Sequence, residues 1–208
     1  YMGGMAVPAV VKYGYGFVQG AEYAAQELGM ADGSIELMYN YTGGFDATPE
    51  AQNQAASWYN NGTEVIFAAG GAVGNSVMAA AEAAGTKVIG VDVDQSGESE
   101  TVITSAMKGL GTSVYDMIAA YYNGSFPGGE NKVYDAANNG VALAMDTAKF
   151  DSFAKADLCF TIQINARLHI IGYRGCVRPH RSITSRLRQF TLPTGKPLKA
   201  YPHRLRPT

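Results

Sequence analysis

The feature that most limits the fold is an alternation between helix-like and strand-like segments, held from residue 8 to about residue 107. Pro8 suits a first helical turn, and Val11, Tyr15, Val18, Ala21, Ala25 and Leu28 follow at spacings of three and four, with Gly29 as the stop. Residues 34–41 alternate Ile35, Leu37, Tyr39 and Tyr41 and read as a strand. Thr48-Pro49-Glu50 opens a second helix with a hydroxyl cap, a proline at the first helical position and an acid in the first turn. Residues 64–69 read as a buried strand, Gly70-Gly71 as a turn, and Val73–Ala84 as an alanine-rich helix ended by Gly85. Residues 87–91 are a second buried strand and 101–105 a third, weaker one. This order predicts an α/β fold: parallel βαβ units with right-handed crossovers and helices on both faces of the sheet.

Beyond that frame, Leu110–Tyr122 is an amphipathic helix and residues 123–129 form a loop dense in turn residues. Short strands are expected at 132–134 and 141–143, around an Asn138-Asn139-Gly140 turn, and a helix at 147–156 with Thr147 near its N-cap. A strand is conceivable over 162–171, and past Arg174 no period persists. The charge changes at the same place. All acids lie at or before Asp157 and all arginines at or after Arg167, so a net charge of −2 hides an acidic body and a basic tail. Three readings of the tail stay open: a solvated basic segment, a segment binding RNA or anionic lipid, and a non-native C terminus from a frameshift. The coincidence of the two breaks favours the third.

Composition narrows the function classes. With 47% hydrophobic and 16% charged residues the chain can bury a core, and its charge gives no reason to expect nucleic acid. No apolar run is long enough for a membrane helix, and the opening Tyr1-Met2-Gly3-Gly4 reads as a strand end and turn, not a signal peptide. Catalysis lacks material: Cys159, Cys176 and all three histidines fall at or within the aberrant tail, and GxSxG is absent. No metal-ligand spacing exists, and no cofactor is called for.

In an open parallel sheet, ligands sit outside the carboxyl ends of the strands. Three segments fall there. Gly70-Gly71, between strand and helix, permit close approach of a ligand or of another backbone. A tight structural turn explains them as well as a ligand contact does, and the spacing is neither Walker A nor GxGxxG. Asp92, Asp94 and Gln95 cluster past a buried strand, where carboxylates can accept from a vicinal diol, as on a ribose. Loop capping is the competing reading for the acids. Lys108 ends the third strand and can donate to a hydroxyl or pair with Asp92 or Asp94. Phe45, after another strand, can close over a flat base, or serve as a core or hinge residue.

These stretches together resemble the basic membrane protein family of ABC-transporter substrate-binding lipoproteins, which includes purine nucleoside receptors. The resemblance rests on Gly3-Gly4-Met5, YGYGFVQG at 13–20, EVIFAAGGAVGN at 64–75, KVIGVDVDQ at 87–95 and TSAMK at 104–108, and it stops near residue 155. It implies a type I periplasmic-binding-protein fold of two lobes trapping ligand, with residues 1–107 as the second lobe beginning at the hinge. Residues 108–157 then cross back toward a first lobe that is largely missing, and 158–208 form the basic tail. Asp92 and Lys108 are implied to hold sugar hydroxyls, with Asp94 less firmly placed. The implied function is capture of a nucleoside, purine above all, for an ABC permease at the cell surface or in the periplasm. Membrane attachment would run only through a lipid anchor absent from this chain. The rivals are a sugar or other small polar metabolite on the same fold, a nucleotide-using α/β enzyme, and an effector-sensing module of a regulator.

Overall fold

The structure, a computed structural model, describes residues 1–31 and 33–150. The basic tail, both cysteines, the histidines and the strand expected at 162–171 lie outside the described residues.

Six strands form one sheet: β1 (Met2–Gly3), β2 (Asn40–Tyr41), β3 (Val65–Ala69), β4 (Lys87–Asp92), β5 (Val102–Lys108) and β6 (Val141–Leu143), in the spatial order β2-β1-β3-β4-β5-β6. All neighbours pair parallel except β5 and β6. The helices are α1 (Pro8–Glu27), α2 (Pro49–Asn60), α3 (Val73–Ala84) and α4 (Leu110–Tyr122).

Burial on both faces explains the near-continuous apolar runs of the central strands. Ile66, Ala68 and Val88 face α2 and α3, packing with Ala55, Trp58 and Val77. Phe67, Ala69 and Val91 face the other way, packing with Tyr1 and with Val10 of α1. Alanines along α3 let it lie close to its neighbours, and Gly85 closes the helix in the left-handed region, at φ 66°. Thr48 caps α2 as its sequence suggests, accepting from the Ala51 N–H at 3.1 Å. Ser76 of α3 binds the same residue twice: the Thr48 N–H donates to Ser76 Oγ at 3.0 Å, and that hydroxyl donates back to Thr48 O at 3.1 Å.

Several sequence expectations are corrected. The strand over 34–41 shrinks to two residues because β2 pairs only with β1, itself two residues long. The strand expected at 101–105 is instead the longest of the sheet, because β4 pairs it as far as Met107 and Lys108 finds a partner in Val141 of β6. Residues 132–134 form no strand. They lead into a single 3-10 turn, Ala136–Asn138, capped by the Asp135 carboxylate, which accepts from the Ala137 N–H at 2.8 Å. The described part of the expected helix at 147–156 is not helical. The strand expected at 141–143 does form: after α4 the chain returns as β6 and pairs antiparallel with β5. Helix α4 buries none of its residues, leaving Val114, Tyr115, Ile118 and Tyr121 exposed.

One irregularity decides which face Lys108 takes. Val88 pairs with Val102, but Ile89 pairs with Thr104, so Ile103 is an extra residue in β5. A strand's side chains alternate, and one inserted residue flips every later one. Val102 accordingly lies in the α2/α3 core while Ala106 lies in the α1 core. Lys108 comes two residues after Ala106 and shares its face.

Ser76→Ala should cost more than Thr48→Ala. The first leaves the Thr48 N–H unpaired near a buried position, at about 1–3 kcal/mol, while Thr48 O keeps the Gln52 N–H; the second removes a cap worth about 1 kcal/mol. Urea unfolding of the two variants checks the order.

Candidate functional site

The parallel strands run in the order 2-1-3-4-5, so the direction of winding reverses between β1 and β3. Ligands of such sheets bind outside the carboxyl ends at this switch point. The sequence-predicted residues collect along this edge.

At the β1 and β3 ends the backbones come very close. A Cβ added to Gly70 would stand 2.8 Å from the Gly4 nitrogen, so no side chain fits between the two turns. Gly71 has φ 59°, the left-handed conformation that favours glycine, and its Cα faces Phe45: an added Cβ would be 3.5 Å from Phe45 Cβ. The Phe45 ring in turn fills the space a side chain on Gly4 would take. Gly4, Gly70, Gly71 and Phe45 thus form one surface, with Phe45 38% exposed above it. The glycines serve the close approach of backbones and seat an aromatic ring, which is the tight-turn reading of Gly70-Gly71.

At the β4 and β5 ends lies a charged pair, Lys108 Nζ to Asp92 Oδ1 at 2.6 Å, with both side chains partly exposed. The contact has the distance of a salt bridge without the angles of a hydrogen bond, and Oδ1 is buried with no other partner among the described residues. Two backbone devices create the pair. The Ile103 bulge turns Lys108 to the α1 face. Asp92 has φ 71°, and the Val93 N–H donates to Val91 O at 2.9 Å across it, a tight three-residue turn. That geometry is uncommon for a residue with a side chain, and Asp is among those that tolerate it. The turn removes Asp92 from regular strand alternation. Phe67 pairs with Ile89 as the last partners of β3 and β4, and Gly70 and Asp92 each lie three residues further along these neighbouring strands.

Lys108 has a second neighbour that sequence reasoning missed. Its Nζ stands 5.5 Å from the centre of the Tyr13 ring of α1. Only the YGYG spacing hinted at it: Gly14 and Gly16 are buried on α1, and Gly14 admits the Tyr1 ring.

The acids and amide of the VDVDQ stretch divide. Asp94 is spent on the loop: Oδ1 accepts from the Ser96 N–H at 3.0 Å and Oδ2 from the Thr147 hydroxyl at 2.7 Å. Thr147 thus clasps Asp94 and caps no helix. Gln95 is a buried strut. Its Oε1 accepts from the Val91 N–H at 2.8 Å, its amide donates to Glu98, and its own N–H donates to Ser105 Oγ at 3.0 Å. Gly90 leaves room for it, since an added Cβ would meet Gln95 Oε1 and Ser105 Oγ. Asp92 is the one whose carboxylate faces Lys108. Among the described residues no group of three acids, cysteines or histidines is arranged to hold a metal ion, and no helix is long and apolar enough to cross a membrane.

This edge sets a glycine-seated aromatic on one side and an ion pair on the other, at the strand ends where α/β domains of this topology bind ligands. Comparison with known proteins narrows that class. The family model described as ABC transporter substrate-binding protein PnrA-like matches residues 1–167, and the chain belongs to this family. The nucleoside-binding protein BmpA of a Lactococcus lactis ABC transporter is 30% identical over 177 residues, covering 75% of this chain and 48% of its own length. The chain therefore spans about half the length of the curated relatives it matches. Among solved structures, a solute-binding protein of an ABC transporter system from Aeropyrum pernix superposes with TM-score 0.58 at 22% identity, over 82% of this chain and 44% of its own. A transcriptional activator of the comK gene from Bacillus halodurans gives 0.62 at 20% identity, over 81% and 54%. Both structures carry the fold alone.

The clasp around residues 144–150 should respond to acid. The Ser96 N–H and then the Thr147 hydroxyl hold Asp94 below the usual carboxylate range, and the hydrogen bond and charge of Lys149 do the same for Glu100. A carboxylate depressed in the folded state adds stability above its unfolded pKa of about 4, lost as pH falls through the folded value. The protection factor of the Lys149 amide, bonded to Ile103 O at 2.8 Å, should therefore fall below about pH 4 and stay constant above it, once the intrinsic pH dependence of exchange is divided out.

Proposed function

We propose that this chain is the nucleoside-binding part of an ABC importer's substrate-binding protein, taking a purine nucleoside in preference to other ligands. The observation that carries the reading is the Asp92–Lys108 pair at the strand ends, half-open to solvent, one strand from the Phe45 surface. A carboxylate accepts two hydroxyl hydrogens and an ammonium donates to a hydroxyl oxygen, which suits the vicinal diol of a ribose. An exposed ring seated on glycines suits the flat face of a base. The name of the Lactococcus lactis relative supports the same ligand class.

On this reading Asp92, Lys108 and Phe45 touch ligand, with Gly70 and Gly71 allowing it to approach the backbone. Asp94 holds the loop that presents them. A second lobe would close over this edge, and α4, whose apolar face is uncovered, would lead toward it. Closure selects a conformation that the ligand contacts on both sides, and the closed form docks on the permease outside the cytoplasmic membrane. The protein would catalyse nothing and be held to the membrane by a lipid anchor. A sugar or other polar metabolite is the second reading, because the ion pair alone recognises hydroxyls without a base.

Titration calorimetry of the full-length protein with inosine, adenosine, ribose and galactose separates the two. Heat from both nucleosides and none from ribose supports the first. No nucleoside heat at millimolar concentration sinks it. Asp92→Ala and Lys108→Met should each lower inosine affinity by about tenfold or more, because each leaves a charge and a ligand hydroxyl unpaired; an unchanged affinity removes that residue from the site.

A further inference from the structure

Helix α1 crosses the sheet face that Lys108 reaches through the Ile103 bulge, and Tyr13 is its residue at the charged pair. The Tyr13 ring stands edge-on to Phe67 of β3, with centroids 5.8 Å apart and planes at 87°. The Lys108 ammonium lies 5.5 Å from the centre of the same ring. Lys108 is thus held between a carboxylate on one side and an aromatic ring on the other. The Tyr13 hydroxyl is buried and has no hydrogen-bond partner among the described residues. Asp92 Oδ1 is buried too and accepts no hydrogen bond from them. The phenol is a donor without an acceptor, while the carboxylate oxygen has the Lys108 ammonium at 2.6 Å for its partner. A buried donor left unpaired is costly, so its place beside this pair calls for a reason. Phenol and carboxylate are close enough that, after burial itself, the Asp92 charge is the further cause holding the Tyr13 phenol above its ordinary range.

We infer that Tyr13 is a positioning residue for the Asp92–Lys108 pair. Its ring fixes where the ammonium stands, and its hydroxyl is the donor held back for Asp92 Oδ1 when a ligand draws Lys108 away. Lys108 can then turn to a ligand hydroxyl without leaving the carboxylate bare. The hydroxyl's part rests on the nucleoside reading; the ring's part does not.

The two parts separate by substitution. Tyr13→Phe keeps the ring and loses the hydroxyl, and Tyr13→Leu loses both. Protons over an aromatic ring are shielded, so ligand-free NMR reads the ring directly: the Lys108 ε-methylene and ammonium signals should be shielded in wild type and Tyr13→Phe, and unshielded in Tyr13→Leu. Should Tyr13→Leu fail to fold, Lys108→Met gives the same information by shifting the Tyr13 ring protons while leaving those of Tyr1 in place. In calorimetry with inosine, Tyr13→Phe should weaken binding about threefold to tenfold and Tyr13→Leu more than that. Lys108 signals unmoved by Tyr13→Leu, or Tyr13 ring protons unmoved by Lys108→Met, overturn the ring's role. Wild-type inosine affinity in Tyr13→Phe overturns the hydroxyl's role. If wild type itself binds no inosine, the nucleoside reading and the hydroxyl's role fall together, while the NMR comparison still decides whether Tyr13 positions Lys108.

Discussion

The site depends on one extra residue in β5. Without the bulge at Ile103, the alternation that puts Val102 into the α2/α3 core would carry Lys108 to that face as well, away from Tyr13. With it, Thr104, Ala106 and Lys108 move to the α1 side. The neighbouring strand makes a matching concession, since Asp92 takes a left-handed backbone where the pleat would otherwise have continued. A bulge and a positive φ each give up regular pairing, and they occur at adjacent strand ends for the same pair of side chains. Backbone irregularity concentrated in this way is typical of positions that aim a group at a ligand.

The rest of the molecule supplies the rigidity that such irregularity needs. Val91 precedes the turn and Ala106 lies beside it, both in the α1 core, while Ser105 is buried and takes the Gln95 N–H. Gln95 closes the loop by returning its amide oxygen to Val91. From the far side, Thr104 donates to Ala144 O at 3.0 Å and the Ala144 N–H to Ser105 O at 2.9 Å, tying the stretch after β6 to β5. The loop after Asp92 is thus fixed at both ends, and Asp94 and Gln95 carry the hydrogen bonds that fix it.

Periodicity made most of the layer architecture legible. The apolar runs of β3 and β4 and the hydroxyl-proline start of α2 are local signals, and they appear where the sequence puts them. The length of β2 was not legible, because it depends on how many residues of β1 are available as partners. Nor was the length of β5, which β4 pairs as far as Met107 and which β6, more than 30 residues away, carries to Lys108. At the site, residue type and position at a strand end identified Asp92 and Lys108, and the structure brings them together. The same reasoning gave Asp94 and Gln95 equal standing. What separates them is the hydrogen-bond partners each finds, Thr147 for one and Val91 for the other, and spacing in the chain does not record that. Tyr13 escaped because an aromatic residue on an amphipathic helix reads as core, and its ring is core; only the tip reaches the charges.

Magnitudes explain why a half-open pair suits reversible capture. An ion pair with both partners about a third exposed contributes on the order of 0–1 kcal/mol in water, so parting it costs little. Hydrogen bonds from ligand hydroxyls to the same charged groups, once water is shut out, are worth about 1.5–3 kcal/mol each. The balance therefore favours exchanging the pair for ligand only when the cleft is covered. A fully buried pair would reverse this, since separating it would leave uncompensated charge at a cost of several kcal/mol. On the proposed reading, partial exposure of Asp92 and Lys108 would let them hold each other in the open edge and part when a ligand offers better bonds.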